Sequence, residues 1–204
     1  MGGNKDLNYH SFFNPHSEDF GGIELYQLSD QSCVQSKTID SHLQFCDEIT
    51  LVYGGEGVVT VNNIDSPLSK GSIHLSFKGE RHSIQSSDEF PLRFFCVGFI
   101  IPKKHPIYNE YIEIKKRIKQ SNDATSIDIY DIFSRCKNAV TEIYFDNNSN
   151  ISKLLLGSIL NEIIILTVKT FSKVNRKDYD KDALVHRNLI YDIITYLNDN
   201  INSK

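Results

Sequence analysis

The feature that most constrains this chain is a change of period near residue 105. Before it, short apolar runs alternate with turn residues: GIELYQLS (22–29), SCVQSKTI (32–39), EITLVYGG (48–55), GVVTVNN (57–63), SIHLSF (72–77), RHSIQS (81–86) and PLRFFCVGFII (91–101). Runs of this length and alternation are strands. Gly54, Gly55 and Gly57 allow positive φ in a tight connection, and Asn62-Asn63 between two strand-like runs suits a short hairpin. Many short strands with such punctuation predict an antiparallel barrel or sandwich. After residue 105 the apolar spacing lengthens to three or four: Ile129, Phe133, Cys136, Val140, Ile143 and Tyr144 make one stripe of an amphipathic helix.

Two segments are too apolar for a single covered face. In Pro91 to Ile101, Phe95, Val97 and Phe99 alternate with Phe94, Cys96 and Ile100, so this strand needs cover from the barrel interior on one side and a later element on the other. The helix over roughly Ile151 to Phe171 carries Leu154, Leu155, Leu156, Ile159, Leu160, Ile163, Ile164, Ile165, Leu166 and Val168, more than one stripe can hold. Its second face suits the same helix of another subunit, because two-fold dimers are the commonest oligomers; the alternative is a central helix buried within one chain. SKVNRKDYDKD (172–182) reads as a linker, and Ile190, Ile193, Ile194, Leu197 and Ile201 beyond it are in helical register.

Composition enters where it excludes partners and compartments. A net charge of −4 does not suit a surface that must neutralise many phosphates. The basic cluster Lys115-Lys116-Arg117-Ile118-Lys119 reads as one solvated helix face. Cys33, Cys46, Cys96 and Cys136 form no C-x-x-C pair and sit in apolar stretches, which predicts reduced, buried thiols in a cytoplasmic protein. The apolar stretch 154–168, interrupted by Ser158, Asn161 and Glu162, is expected to be too short and too polar to span a bilayer, and no secretory leader pattern precedes the strands. A chain of 204 residues, 40% of them hydrophobic, can build one sizeable core without staples.

The candidate site lies in HLQFCDEITLVYGGEG (42–57) and GSIHLSFKGERH (71–82). His42, Gln44 and Glu48, followed by Gly55 and later by Gly71, Gly79 and His82, resemble the two motifs of the cupin barrel, in which an H-x-H, a glutamate and a later histidine converge on a metal. Gln44 stands where the second histidine would be, and Phe77 replaces the proline before the turn at Gly79. An amide oxygen is a poorer transition-metal ligand than an imidazole and is better matched to hydrogen-bonding an organic molecule. His42, Glu48 and His82 remain a possible two-histidine, one-carboxylate set. His74, between Ile73 and Leu75, falls on the opposite strand face from both and is read as structural.

The order of these motifs, with P-L-R-F, two helices and a terminal L-I-Y-D-I-I-T-Y-L-N-D-N-I, resembles the N-terminal half of AraC/XylS-type transcription regulators over residues 20 to 201. The resemblance implies an α+β chain: a cupin-like antiparallel β-barrel, or double-stranded β-helix, followed by an α-helical dimerisation region. It divides the chain into an N-terminal arm (1–20), an effector-binding barrel (21–105), the helical region (106–173), and a linker with the first helix of a further DNA-binding domain (174–204). A small-molecule effector would be held by His42, Gln44, Glu48, Tyr53 and His82, with no cofactor and no bound metal. The chain would be a homodimer that meets DNA only through a domain following Lys204, and it would be neither an enzyme nor a membrane protein. Residues 8–20, with Tyr9, Phe12, Phe13 and Phe20, would either cross the barrel mouth as an arm or fill the outer sheet. The alternative is a metal-dependent cupin enzyme, a dioxygenase or isomerase acting on a small organic substrate.

Overall fold

A computed structural model of the chain describes residues 10–33, 38–145 and 149–172. The expected linker and following helix (174–204) lie outside the described residues. Among the described residues ten strands and three helices follow one another: β1 (His10–Phe20), β2 (Ile23–Ser32), β3 (Thr38–Leu43), β4 (Asp47–Gly54), β5 (Glu56–Val61), β6 (Ile64–Ser69), β7 (Ser72–Ser76), β8 (Arg81–Ser86), β9 (Arg93–Ile100), α1 (Tyr108–Ser121), β10 (Thr125–Ile127), α2 (Ile132–Phe145) and α3 (Asn150–Ser172).

The strands form two antiparallel sheets, one in the order β1-β2-β9-β4-β7-β10 and the other β3-β8-β5-β6. Strands β2 to β9 alone give two four-stranded sheets that exchange chain at nearly every connection. That is the eight-stranded double-stranded β-helix, and the cupin-like α+β fold expected from the sequence is the one observed. The segment 10–20 takes the second of its two expected places: it adds β1 to the outer sheet beside β2, with a register break between Phe13 and Glu18. Two strands lay beyond sequence reading. β6 contains Pro67, which is tolerated because β6 is an edge strand. β10 is only three residues long and pairs with the other edge, β7.

The turn chemistry accounts for the register. Asn62 and Asn63 both have positive φ, 48° and 67°, and close the two-residue β5–β6 hairpin. Gly55 has φ +75°, and a Cβ there would lie 2.0 Å from the Pro91 carbonyl oxygen. Gly57 is required for a different reason than expected: its φ is not positive, but a Cβ would sit 2.3 Å from the Gln85 carbonyl oxygen.

Both faces of β9 are buried, as its sequence demands. One cluster fills the barrel with Cys33, Val52, Val59, Leu68, Ile84, Leu92, Phe94 and Cys96. The larger cluster lies on the outer face of the six-stranded sheet, where Leu51, Ile73, Leu75, Val97 and Phe99 meet Tyr111, Ile114, Cys136, Leu160, Ile163, Ile164 and Phe171 from the helices. Each of these aliphatic and aromatic side chains contributes about 1.5–3 kcal/mol by leaving water. All four cysteines are buried thiols outside any disulfide. Asp128 starts α2 by accepting the amides of Ile132 at 2.8 Å and Phe133 at 2.9 Å. Gly157 lets α3 approach the β1–β2 turn, where Asn161 Nδ2 donates to the Phe20 carbonyl at 3.2 Å and to the Gly157 carbonyl at 2.8 Å.

The basic cluster of α1 is not a freely solvated face. Lys115 reaches Asp47 at 2.7 Å, Lys119 lies 3.6 Å from Glu80, and Arg117 donates to the Phe171 carbonyl. α3 also corrects an expectation. It runs 23 residues with a mean hydropathy of 1.8 over its most apolar window, so by length and composition it is long and apolar enough to cross a membrane. A core helix passes the same test, and Leu160, Ile163, Ile164, Val168 and Phe171 of this helix are committed to the domain core. Ile151, Leu154, Leu155 and Ile165 remain exposed on its far side.

Candidate functional site

Strand alternation sorts β4 into two faces with different tasks. Glu48, Thr50 and Val52 point into the barrel, while Ile49 and Leu51 face the helices. Opposite Glu48 stands Ser76 of β7, and opposite Thr50 stands His74. β7 therefore turns its polar residues inward and Ile73 and Leu75 outward, which is possible because the helices cover the outer face. The barrel interior grades from the apolar cluster at Phe94, Val52 and Leu92 to a polar cluster at Glu48, Ser76, His82 and Gln44.

The polar cluster joins four of the five expected site residues. His42 of β3 and His82 of β8 are register partners, which places both rings on one face with their Nε2 atoms 3.0 Å apart. Gln44 follows β3, and its backbone brackets the 77–80 turn: its amide donates to the Glu80 carbonyl, and its carbonyl accepts from the Gly79 amide, both at 2.8 Å. Its side-chain Nε2 lies 2.8 Å from His82 Nε2. The Ser76 hydroxyl meets His82 Nδ1 at 3.0 Å. The Glu48 carboxyl bonds with Gln44, Cys96 and the Thr50 hydroxyl, the last at 3.2 Å. Gln44, Glu48 and His82 are buried, whereas His42 is exposed at the mouth.

Tyr53 does not join them. It lies on the outer face of the sheet, stacked with Phe95 and Phe133 at ring-centroid distances of 5.0 and 5.4 Å, with Arg93 over its ring and its hydroxyl donating to Asp30 at 2.5 Å. Sequence reasoning missed Thr50, Ser76 and Cys96. For Ser76 the signal was present in SIHLS, where Ser72, His74 and Ser76 share one face.

The electrostatics follow from burial. Burial raises the Glu48 carboxyl above the ordinary carboxylate value of 4.5, against the opposing hydrogen bond from Gln44 and the nearby His42. Burial, and then repulsion from His42 and His74, pushes His82 down to about 3, so its ring is neutral at physiological pH. His42 Nδ1 faces the Asp40 carbonyl at 2.9 Å and must donate to it. Gln44 presents its amide nitrogen to His82 Nε2, and the tautomers of the two rings set which atom donates in the His42–His82 and Ser76–His82 contacts.

This hydrogen bonding decides whether the donors suit a resident transition metal. The two imidazole nitrogens and the Gln44 amide point at one another, and Glu48 is engaged by Gln44, Thr50 and Cys96. Among the described residues no group of three or more His, Cys, Asp or Glu side chains is disposed to hold a metal ion. The residues do not fit the metal that the barrel motif implies. They form instead a mutually hydrogen-bonded set, buried except for His42 at the mouth.

Behind this cluster, on the outer face of the same strand, the Asp47 carboxylate accepts the Lys78 amide, the Tyr111 hydroxyl and Lys115 Nζ, each at 2.7 Å. Neighbouring residues of β4 thus hold the barrel cluster and helix α1.

No family model matches this sequence, and no curated protein matches it. Among solved structures, the chain is similar to the Cnp3 cupin domain of Schizosaccharomyces pombe, at 14% identity over 56% of this chain and 72% of that one, with a TM-score of 0.39. It is similar to a cupin superfamily protein from Desulfitobacterium hafniense, at 16% identity over 44% of this chain and 75% of that one, with a TM-score of 0.36. A predicted oxalate decarboxylase from Thermotoga maritima matches at 22% identity over 39% of this chain and 81% of that one, with a TM-score of 0.35. The strand order of the two sheets, read directly, is what gives the chain its cupin-like fold.

Proposed function

We propose that this chain is the ligand-sensing and dimerising part of an AraC/XylS-type transcription regulator. In this reading a small effector exchanges hydrogen bonds with His42, Gln44, Glu48 and His82. The observation that carries the proposal is the adjacency of Glu48 and Asp47. One turns into the barrel cluster, and the next residue anchors α1 through Tyr111 and Lys115. A ligand that displaces the Glu48 hydrogen bonds moves the strand residue on which α1 is seated, so binding in the barrel is felt by the helical layer. A sensor needs such a differential contact; a binding barrel without output does not.

Two further features agree. The exposed Ile151, Leu154, Leu155 and Ile165 of α3 form an apolar face suited to a second copy of the chain. The sensor reading gives contact with DNA to a domain following Lys204, and it agrees with Lys115, Arg117 and Lys119 of α1 being engaged within the domain. No particular contact favours the enzyme reading, because the donors that a metal-dependent cupin enzyme would use are bonded to one another.

The test is transcription from a promoter the full-length regulator controls. Glu48→Ala and His82→Ala should each abolish the ligand response while sedimentation still reports a dimer. A normal response in both variants would refute the assignment of the effector to this cluster.

A further inference from the structure

The side of α3 turned away from the core carries a regular spacing. Ile151, Leu155, Ser158, Glu162, Ile165 and Lys169 are all exposed, and they follow one another in alternating steps of four and three residues. A seam with this alternation stays on one side of a helix and suits a second helix packed along it. Ile165, the least exposed of its apolar members, is still 43% accessible, so the seam is bare over its whole length. The opposite side of the helix, with Leu160, Ile163, Ile164 and Phe171, is spent on the domain core.

The order of residues along the seam selects how a second copy can lie on it. Parallel helices about a two-fold axis set each residue against its own copy. Glu162 would then meet the partner's Glu162, and Lys169 the partner's Lys169, two like-charge contacts in one short seam. Antiparallel helices avoid both. In the register that brings Leu155 against the partner's Ile165, Ser158 faces the partner's Glu162, and Ile151 faces the partner's Lys169. Every member of the seam then has a partner, and the apolar pair occurs twice. A shift by one heptad in one direction carries Ile165 past the start of the partner's helix and sets Ile151 against the partner's Glu162. The opposite shift carries Ile151 past the far end and leaves Leu155 against the partner's Ser172, the last residue of α3.

The polar members fit the antiparallel register. Glu162 is drawn toward α2 by Arg135 Nε at 3.1 Å, and the small Ser158 leaves it room. Lys169 Nζ lies over the Tyr130 ring at 4.9 Å, which leaves its methylene stem to cover an isoleucine. A polar layer inside an apolar seam costs stability and fixes orientation.

We propose that two copies of this chain pair through α3 in antiparallel, about a two-fold axis between Ser158 and Glu162, with Leu155 of each helix seated on Ile165 of the other. The pairing rests on the dimeric part of the sensor reading and gives that dimer its orientation and register.

The test uses the 204-residue protein, whose four native cysteines are buried, so that a cysteine introduced on the seam is open to oxidation while they are not. Leu155→Cys and Ile165→Cys, mixed as separate chains under mild oxidation, should cross-link into a mixed disulfide dimer. Neither variant alone should do so, because the antiparallel register holds each position about 15 Å from its own copy, beyond the reach of a disulfide. In sedimentation, Leu155→Glu and Ile165→Lys should each weaken the dimer at least about tenfold, through loss of a buried aliphatic contact. The chain carrying both substitutions should regain the dimer, since the two introduced charges then face each other across the axis. Circular dichroism checks that each chain is folded, and the cysteine pair carries the test should a charge variant fail to fold. Self-cross-linking of either single-cysteine variant would reveal parallel pairing and overturn the proposal. A dimer whose mixed chains do not cross-link would overturn it too, by placing the contact on another surface or in another register. A monomer at every concentration would overturn both the pairing and the dimeric part of the sensor reading. The effector site is decided separately, by the responses of Glu48→Ala and His82→Ala.

Discussion

Replacing Asp47 with alanine removes the acceptor for three donors at once. Asp47 is 6% exposed, and it accepts from the Lys78 amide, the Tyr111 hydroxyl and Lys115 Nζ at 2.7 Å each. The losses differ by donor. The Tyr111 hydroxyl is buried against Phe77 and Phe99, and the Lys78 amide is partly buried, so neither regains water freely. Each stranded donor costs about 1–3 kcal/mol. The Lys115 side chain is about one-fifth exposed and can swing outward, so its ion pair contributes only about 0.5–1 kcal/mol. The sum for Asp47→Ala is about 2.5–7 kcal/mol, which brackets the roughly 3–5 kcal/mol expected when one partner of a buried charged set is removed. Asp47→Asn keeps an acceptor oxygen and should cost about 1–2 kcal/mol. Urea unfolding followed by circular dichroism gives the free energies, and double-mutant cycles apportion them. Asp47→Ala with Tyr111→Phe should show a coupling above about 1 kcal/mol, larger than that with Lys115→Met. A cost for Asp47→Ala below about 1 kcal/mol, or additivity with Tyr111→Phe within about 0.3 kcal/mol, would refute the account of how α1 is seated.

Three other predictions rest on separate observations. His74 and His82 are held neutral by burial, lowered to about 4 and about 3 from an ordinary 6.5. The unfolded chain binds their protons first, so their contribution is fully present above pH 6.5 and is lost as pH falls toward 4, by about 1.4 kcal/mol per pH unit for each ring. Glu48 runs the other way: its raised value makes its contribution greatest below pH 4.5 and removes it as pH rises through the folded value. In a Glu48→Gln background, His82→Gln should therefore halve the slope of stability against pH between 6.5 and 5, and an unchanged slope would remove His82 as a source. Thr167 Oγ1 is buried without a partner, so Thr167→Val should raise stability by about 1 kcal/mol in thermal unfolding. Leu154, 74% exposed on α3, should when changed to glutamate convert a dimer to a monomer in sedimentation without lowering the melting temperature.

How far the sequence carried depended on whether a residue's role is local. The β5–β6 hairpin was legible because Asn62-Asn63 is a local turn signal, and α2 and α3 because their apolar spacing repeats over several turns. β1 was half legible, since aromatic residues show that a segment is covered without showing by what. β6 was hidden by Pro67, and β10 is too short to carry a period. At the site, His42 and His82 could be paired because both motifs have fixed spacing. Tyr53 was misplaced beside them because strand alternation within a segment says that two residues differ in face, not which face is the barrel. Glu48 and Tyr53 are five apart on β4, an odd step, and a sheet covered on both sides gives no polar face to fix the choice. Asp47 was invisible as an anchor because its partners lie 64 and 68 residues away.

The sheet borders described above also bear on how copies of this chain can meet. β6 offers Pro67, which has no amide hydrogen; β10 is three residues long; β1 and β3 each break register along their length. Every border strand is therefore a poor template for a strand from another molecule. Strand-to-strand stacking, which can propagate without limit, is disfavoured at all four borders of the described sheets, so the dimer proposed above is left to the apolar side of α3. A single helical patch used by both partners closes after two copies. The irregularities at the sheet borders thus disfavour a growing fibre, and a variant that straightened β3 or replaced Pro67 should aggregate before it lost its fold.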